Sequence, residues 1–340
     1  MKKEEDKMEL EVDINKKWNA RWTAQRNQDN RWLHRLLPTL QPWMETRGVR
    51  MTKHIKAACD KARKVATHFR PLMPNLHGPT FIRRKLLIHA VLSIIFYGVI
   101  TWTSGCNLKK NRIEIRKTIR PLKLSLCSAY RTTSDFCLNI MSGIPSEEIL
   151  IKEKISKYRK EDIDEINRNQ MAEWYLEYER SPNTWIKRLI PELHIWLDRK
   201  YGNPDFYISQ FLTGHGAFAN YLFRFKKRDN PFCPLCSDIN KSENDETIDT
   251  PEHTFFNCKG TKQHKEELER TSGNEVTPDN IMETMLESKR NWNEVYKYRR
   301  NTLISKQKYL QDKPLEEANS NLSSLEDTPS QGITEEIKEI

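Results

Sequence analysis

The sequence predicts a mostly α-helical chain, and three observations carry that reading. Glycine is scarce, at 11 of 340 residues, so the turn signals that many short strands require are thin. Apolar residues recur at three- and four-residue intervals, as on one face of a helix. Pro and Gly turns separate those periodic stretches. The hydrophobic fraction is low at 37% and the charged fraction high at 31%, so a core can form, though not everywhere.

Residues 1–17 are charged and read as a solvated helix or a frayed end. Residues 18–47 carry Trp18, Trp22, Trp32, Arg35, Leu36, Pro38, Leu40 and Trp43. The last six match Trp185, Arg188, Leu189, Pro191, Leu193 and Trp196 at a constant offset of 153. With a three-residue gap, Trp18 and Trp22 match Trp174 and Tyr178. Segment 1–48 is therefore an orphan copy of 174–202. Two copies so far apart cannot stack as a repeat array.

Residues 49–73 read as a basic amphipathic helix. Ile55, Ala58, Ala62, Val65 and Phe69 form its apolar stripe, and Lys53, Lys56, Lys61, Arg63 and Lys64 face out. A mostly buried helix is expected over 80–103. Its apolar run, Leu86–Ile100, is too short for a membrane span of ~20 residues. A third, strongly basic helix spans about 108–130, with Pro121 as a break or kink. Together, 49–130 reads as a three-helix bundle. Ser146, ahead of Glu147 and Glu148, is an expected N-cap for a charged helix reaching about Glu179. The second tryptophan segment, a short helix at 206–211 and an aromatic helix or strand from Phe218 to Phe225 complete a helical linker, 131–225. The tryptophans sit at core-like spacing; stacking on bases is the alternative. His215 stands between two glycines, either as a turn histidine packed under the cysteine-bearing segment downstream or as a catalytic group.

Residues 226–262 hold the most specific motif. Cys233, Cys236, His253 and Cys258 are spaced C-x2-C-x16-H-x4-C. Four nitrogen and sulfur ligands fill a tetrahedral zinc shell and leave no position for an activated water, so Zn2+ here would be structural. Reduced thiols near a surface histidine are the alternative. Disulfides fit worse, because the seven cysteines are odd in number and no secretory signal is visible. That points to a nuclear or cytoplasmic protein. The intervening loop, Ser237–Thr250, is acidic and expected at the surface. Residues 263–310 read as polar helices. The tail, 311–340, is expected to be disordered and carries a net charge of −6, which leaves +16 on the first 310 residues. Such a charge suits RNA or DNA. Arg224, Lys226, Lys227 and Arg228, mixed with Tyr221, Phe223 and Phe225 beside the zinc motif, are the expected phosphate contacts.

Several motifs in order resemble one family. They are the basic bundle, Ile95-Phe96-Tyr97-Gly98-x3-Trp102, Ser128-Ala129-Tyr130-Arg131-Thr132, Trp185…Arg188-Leu189-Ile190-Pro191, Leu212-Thr213-Gly214-His215-Gly216 and the Cys/His motif. Over roughly 49–265 the chain resembles the C-terminal part of a non-LTR (LINE-type) retrotransposon reverse transcriptase polyprotein. Within that family it looks like the arthropod type-1 ribosomal-gene-inserting and Jockey-like kind. The resemblance implies that 49–130 is thumb-like and that Cys233, Cys236, His253 and Cys258 form a CCHC zinc knuckle. It also implies nucleic-acid binding within RNA-directed DNA synthesis by the intact polyprotein. The chain contains no Asp-Asp. It therefore lacks the two-metal catalytic turn of a polymerase and is expected not to be an enzyme alone. Palm and fingers are missing, as in a truncated or rearranged element. Two other readings stand beside this one: a zinc-stabilised protein-interaction module and a non-functional retrotransposon relic. Asp162, Asp164 and Glu165 are expected on a solvated helix face.

Overall fold

The computed structural model describes residues 51–74, 78–182, 184–236 and 247–312. The orphan segment 1–48, most of the acidic loop and the tail from 313 lie outside the described residues. Among those described, the chain is mostly helical, and the one β-type pairing is an isolated bridge between Phe232 and Ile248.

Helix α1, Thr52–Phe69, buries Ile55, Cys59 and Ala62, while Val65 and Phe69 pack at the edge. Arg63 is half-exposed, but its charge is paired within the fold. It pairs with Asp60 and with Glu114, each at 2.6 Å. The expected second helix is divided. Helix α2, Phe81–Ile95, ends at a turn, and Gly98 with φ +61 opens the short α3, Val99–Trp102. A left-handed residue cannot continue a right-handed helix, and glycine adopts that conformation without steric cost. Helix α4, Lys109–Cys127, runs through Pro121. Pro121 is exposed, so the carbonyl it leaves without an intrahelical donor lies on a solvated side. Helices α1, α2 and α4 pack against one another pairwise. Buried Arg84 ties α2 to the end of α4, donating to the Ser125 carbonyl and the Ser128 hydroxyl, each at 2.8 Å.

The basic face of α4 is partly neutralised inside the fold. Arg112, Arg116 and Arg120, one turn apart, pair with Glu148, Glu147 and Asp135. Those acids begin α5, Asp135–Ser142, and α6, Glu147–Tyr158. Ser146 occupies the cap position of α6 but makes no cap bond, because its hydroxyl donates instead to Glu177 at 2.7 Å. The long charged helix is also broken. Lys160 has φ +59, and Asp162 restarts the chain as α7, Ile163–Arg180, by accepting from the Glu165 amide at 2.9 Å. Asp162 is thus an N-cap and not merely part of a solvated face.

The tryptophan segment forms α8, Trp185–Leu189, and α9, Leu193–Leu197. Leu189, Leu193 and Trp196 are fully buried. Trp196 Nε1 donates to the Ile140 carbonyl at 2.9 Å, and Trp185 Nε1 to the Phe211 carbonyl at 2.7 Å. The Trp196 ring is core and not free for bases, while Trp185 is half-buried against that core; both have their polar edges satisfied. Helices α10, Phe206–Thr213, and α11, Ala219–Arg224, come next. After the Cys/His segment come α12, Lys262–Ser272, α13, Ile281–Glu287, and α14, Lys289–Asp312. Polar by composition, these last helices still bury Leu268, Met285, Val295, Tyr298 and Leu303. Arg299 of α14 is fully buried, over the Phe211 ring at 4.8 Å, and burial pushes its guanidinium down to about 10.

One hydrophobic cluster links all of these elements, from Ile55 through Ile115 and Trp196 to Phe255 and Leu303. No single helix among the described residues is long and apolar enough to cross a membrane. A bent pair over 81–107 passes that test together, by length and composition only, and its Ile88, Val91, Ile95 and Trp102 lie in the core.

Candidate metal centre

The four spaced residues converge. Cys233, Cys236, His253 and Cys258 are all buried, and one donor atom from each lies within 4.8 Å of the others. Cys258 Sγ is 3.7 Å from both Cys233 Sγ and Cys236 Sγ, and Cys236 Sγ is 3.4 Å from His253 Nε2. A disulfide needs about 2.05 Å, and all the cysteines are free. Metal–sulfur bonds of ~2.3 Å at tetrahedral angles put sulfurs about 3.8 Å apart. The separations therefore fit donors arranged around one small cation. Without a cation, Cys258 is held low, as a thiolate, because the Cys233 thiol donates to it and His253 lies against it; Cys233 is pushed up correspondingly.

Local backbone geometry builds the cluster from two arms. In the first, the Cys233 amide donates to the Thr247 carbonyl at 2.8 Å and the Asp249 amide to the Pro231 carbonyl at 2.9 Å. This pairing aims Cys233 inward, and the turn after it delivers Cys236 from the same side. In the second arm, Thr250 Oγ1 accepts from the His253 amide at 3.0 Å and starts a five-residue π-helical turn, His253–Asn257. That turn projects His253, while its wide helical register places Phe255 and Phe256 on the core. Such π-type turns often mark functional sites. The Cys258 amide closes it onto the His253 carbonyl at 2.7 Å. The amides of Lys259 and Gly260 hydrogen-bond the sulfurs of Cys236 and Cys258, which favours the thiolate form. A Cβ on Gly260 would come within 2.7 Å of Leu235 Cβ, so the two arms can close only over a glycine.

Two residues that the sequence does not single out complete the centre. Asp249 belongs to the loop expected at the surface, yet it is fully buried, as is Lys306 of α14. The two form an ion pair. Thr254 Oγ1 donates to Asp249 Oδ1 at 2.7 Å, and Asp249 Oδ2 accepts from the Ala219 amide at 2.6 Å. Asp249 thus joins the metal loop, the start of α11 and α14. A signal exists: Asp249 lies four residues before His253, beside Thr250 and Thr254, in a pattern that suits capping more than a solvated loop.

The expected phosphate-contacting residues lie at the far end of α11. Arg224, Lys226 and Lys227 are exposed, and Arg228 is half-buried. Helix α11 ends in a Schellman cap: the Lys227 amide reaches the Leu222 carbonyl and the Lys226 amide reaches that of Phe223, each at 2.9 Å. Lys226 holds the left-handed position, with φ +55.

His215 packs beside this helix. Its ring stacks on Tyr221 at 4.8 Å, and Thr132 Oγ1 lies 3.0 Å from His215 Nδ1 and 2.7 Å from the Tyr221 hydroxyl. A relay in which Tyr221 donates to Thr132 and Thr132 to Nδ1 satisfies all three and requires a neutral imidazole. Burial, with Arg224 adding to it, pushes His215 down to about 4. Its folded pKa is therefore below the unfolded value of about 6.5, so the unfolded chain binds the proton more readily. The stability this neutral ring contributes is present above that pH and is lost as pH falls from about 6.5 towards 4. The prediction is that His215→Phe flattens this part of the stability–pH curve, measured by urea unfolding across the window. An unchanged slope would show that His215 does not titrate with folding.

Comparison with protein-family models, with curated proteins and with solved structures finds no match for this chain.

Proposed function

We propose that the chain is a nucleic-acid-binding protein whose binding surface is held rigid by a structural zinc ion, and that it carries no catalytic activity of its own. One observation carries this reading. Asp249, in the loop between Cys236 and His253, fixes the first amide of α11, whose other end presents Arg224, Lys226 and Lys227. A metal on Cys233, Cys236, His253 and Cys258 therefore orders cations on a surface it does not itself touch. Zinc is the metal that three thiolates and one imidazole in a closed, buried tetrahedron favour. It would supply cross-linking and no reaction chemistry. The resemblance of 49–265 to the C-terminal part of LINE-type reverse transcriptases supports the same reading: α1, α2 and α4 correspond to the thumb-like bundle and the Cys3His segment to the knuckle.

The test is binding of the whole chain to RNA and DNA across a salt series, with zinc and after chelation. Affinity should fall steeply with salt, because each phosphate contact releases counterions, and should fall again on chelation or in Cys233→Ser. Binding that ignores salt would favour an apolar protein-docking surface. No binding by a folded, zinc-loaded chain would remove the reading.

A further inference from the structure

We propose that the end of α11 is a stacking platform for an unpaired nucleobase, with Phe225 as the ring it stacks on. Single-stranded RNA or DNA, and not duplex, is then the ligand. This rests on the nucleic-acid reading above and makes it specific.

Three observations point the same way. The first is a series of rings that reaches solvent. His215 stacks on Tyr221, Tyr221 meets Phe225 at 5.0 Å, and Tyr130 supports Tyr221 from the side at 6.2 Å. His215 and Tyr221 are partly buried and tied through Thr132, so the series is anchored at its inner end. Phe225, at its outer end, is 40% exposed, and neighbouring Phe223 is 44% exposed. An apolar ring left half in water on a rigid base is the surface on which a base gains most by stacking.

The second is charge. Arg224 is the charged side chain that acts on both His215 and Tyr221. Its guanidinium lies 5.5 Å from the Phe225 ring centre. Exposed Arg131, Lys226 and Lys227 are close in sequence to the ring-bearing residues. Cations bordering aromatic rings suit a base with its phosphate; a purely apolar partner would not need them.

The third is backbone strain at one cation. Lys226 occupies the left-handed cap position that glycine fills at no cost. A lysine there carries a steric cost that glycine avoids, because its Cβ crowds the following carbonyl. Strained backbone positions cluster at functional sites, and this one stands next to the exposed ring, unlike that of Lys160 at a plain helix break. Here the strained residue is an exposed lysine that directly follows Phe225 in the chain, where a phosphate next to a stacked base would need a cation.

Two variants test the proposal by fluorescence anisotropy with a labelled single-stranded oligonucleotide and its duplex, using the whole zinc-loaded chain. Phe225→Leu keeps an apolar side chain at a half-exposed site, so folding should survive. It should weaken single-strand binding about fivefold or more and leave the salt slope unchanged. Phe225→Trp should restore or strengthen binding. Lys226→Gly should raise the unfolding midpoint, because it relieves the left-handed strain, yet lower affinity and reduce the salt slope by about 0.7. Duplex binding as tight as single-strand binding, or an unaffected Phe225→Leu, would overturn stacking. If Lys226→Gly still reduced the salt slope, the nucleic-acid reading would stand without the platform. No binding by the wild-type chain would overturn both.

Discussion

Removing the metal is expected to cost this protein on the order of 4 kcal/mol or more of unfolding free energy, well beyond a local loosening. The residues between the ligands explain why. Phe255 and Phe256 sit within the His253–Cys258 arm, and Phe255 packs edge-on against Phe211 at 4.8 Å. The Tyr298 hydroxyl of α14 also donates to the Phe255 carbonyl. Without a cation the two arms are joined at the cluster by weak sulfur hydrogen bonds, those of Cys233 and His253 to the Cys258 thiolate and of Cys236 to its neighbours, in place of four coordinate bonds. The arms are then held far less firmly, and the two core phenylalanines between the ligand positions loosen with them. Chelation, or Cys258→Ser, should therefore lower the urea midpoint of the whole chain. Hydrogen exchange should rise first in α11 and in residues 247–261. Metal analysis by mass spectrometry should find one zinc per wild-type chain and none in the variant. An apo chain with the wild-type midpoint would show that the four side chains converge without holding a metal.

The Cys/His cluster was legible in the sequence because its information is local: two pairs of close residues, each on one turn, at spacings a single cation could bridge. The helical periodicity of 52–69 was legible for the same reason. What escaped is what depends on distant pairing. Arg112, Arg116 and Arg120 make the third helix strongly basic in the sequence, yet they meet Glu148, Glu147 and Asp135 across a helix junction. Charge composition cannot distinguish a cation facing solvent from one facing an acid on the next helix. Ser146 stands where an N-cap belongs, but Glu177, 31 residues on, offers its hydroxyl a charged acceptor. The break at Lys160 escapes because nothing but a lysine in the left-handed region marks it. Base stacking stands as an alternative for Trp196 in the sequence; the Ile140 carbonyl that takes its indole proton is 56 residues away.

Asp249 and Lys306 are the strongest case of such distant pairing, and breaking either one is expected to destabilise the chain by about 3–5 kcal/mol. They lie 57 residues apart, one in an acidic loop and the other in a polar helix. Each would be assigned to the surface by composition. Folding takes both fully out of water, and the pair is tolerable because every neighbour contributes. The Lys306 ammonium also reaches Thr254 Oγ1 at 2.5 Å and lies over the Phe218 ring at 5.2 Å, while Asp249 accepts from Thr254 and from the Ala219 amide. Lys306→Met leaves a carboxylate buried without its counter-charge, and Asp249→Asn leaves an ammonium in the same position. The double variant, Asp249→Asn with Lys306→Met, leaves neither charge, so its loss should be smaller than the sum of the two single losses. A coupling of about 2 kcal/mol or more in a urea double-mutant cycle would establish that the charges act as a pair. Additive losses would mean that each residue is held by its own hydrogen bonds instead. Asp249→Asn also weakens the side-chain bond that holds the metal loop on α11, since a neutral amide oxygen is the poorer acceptor. It should therefore lower nucleic-acid affinity at constant metal content, whereas Lys306→Met should act on stability first. The two effects separate because Asp249 bonds directly to the first amide of α11, while Lys306 reaches that helix only through the carboxylate and the ring beside it.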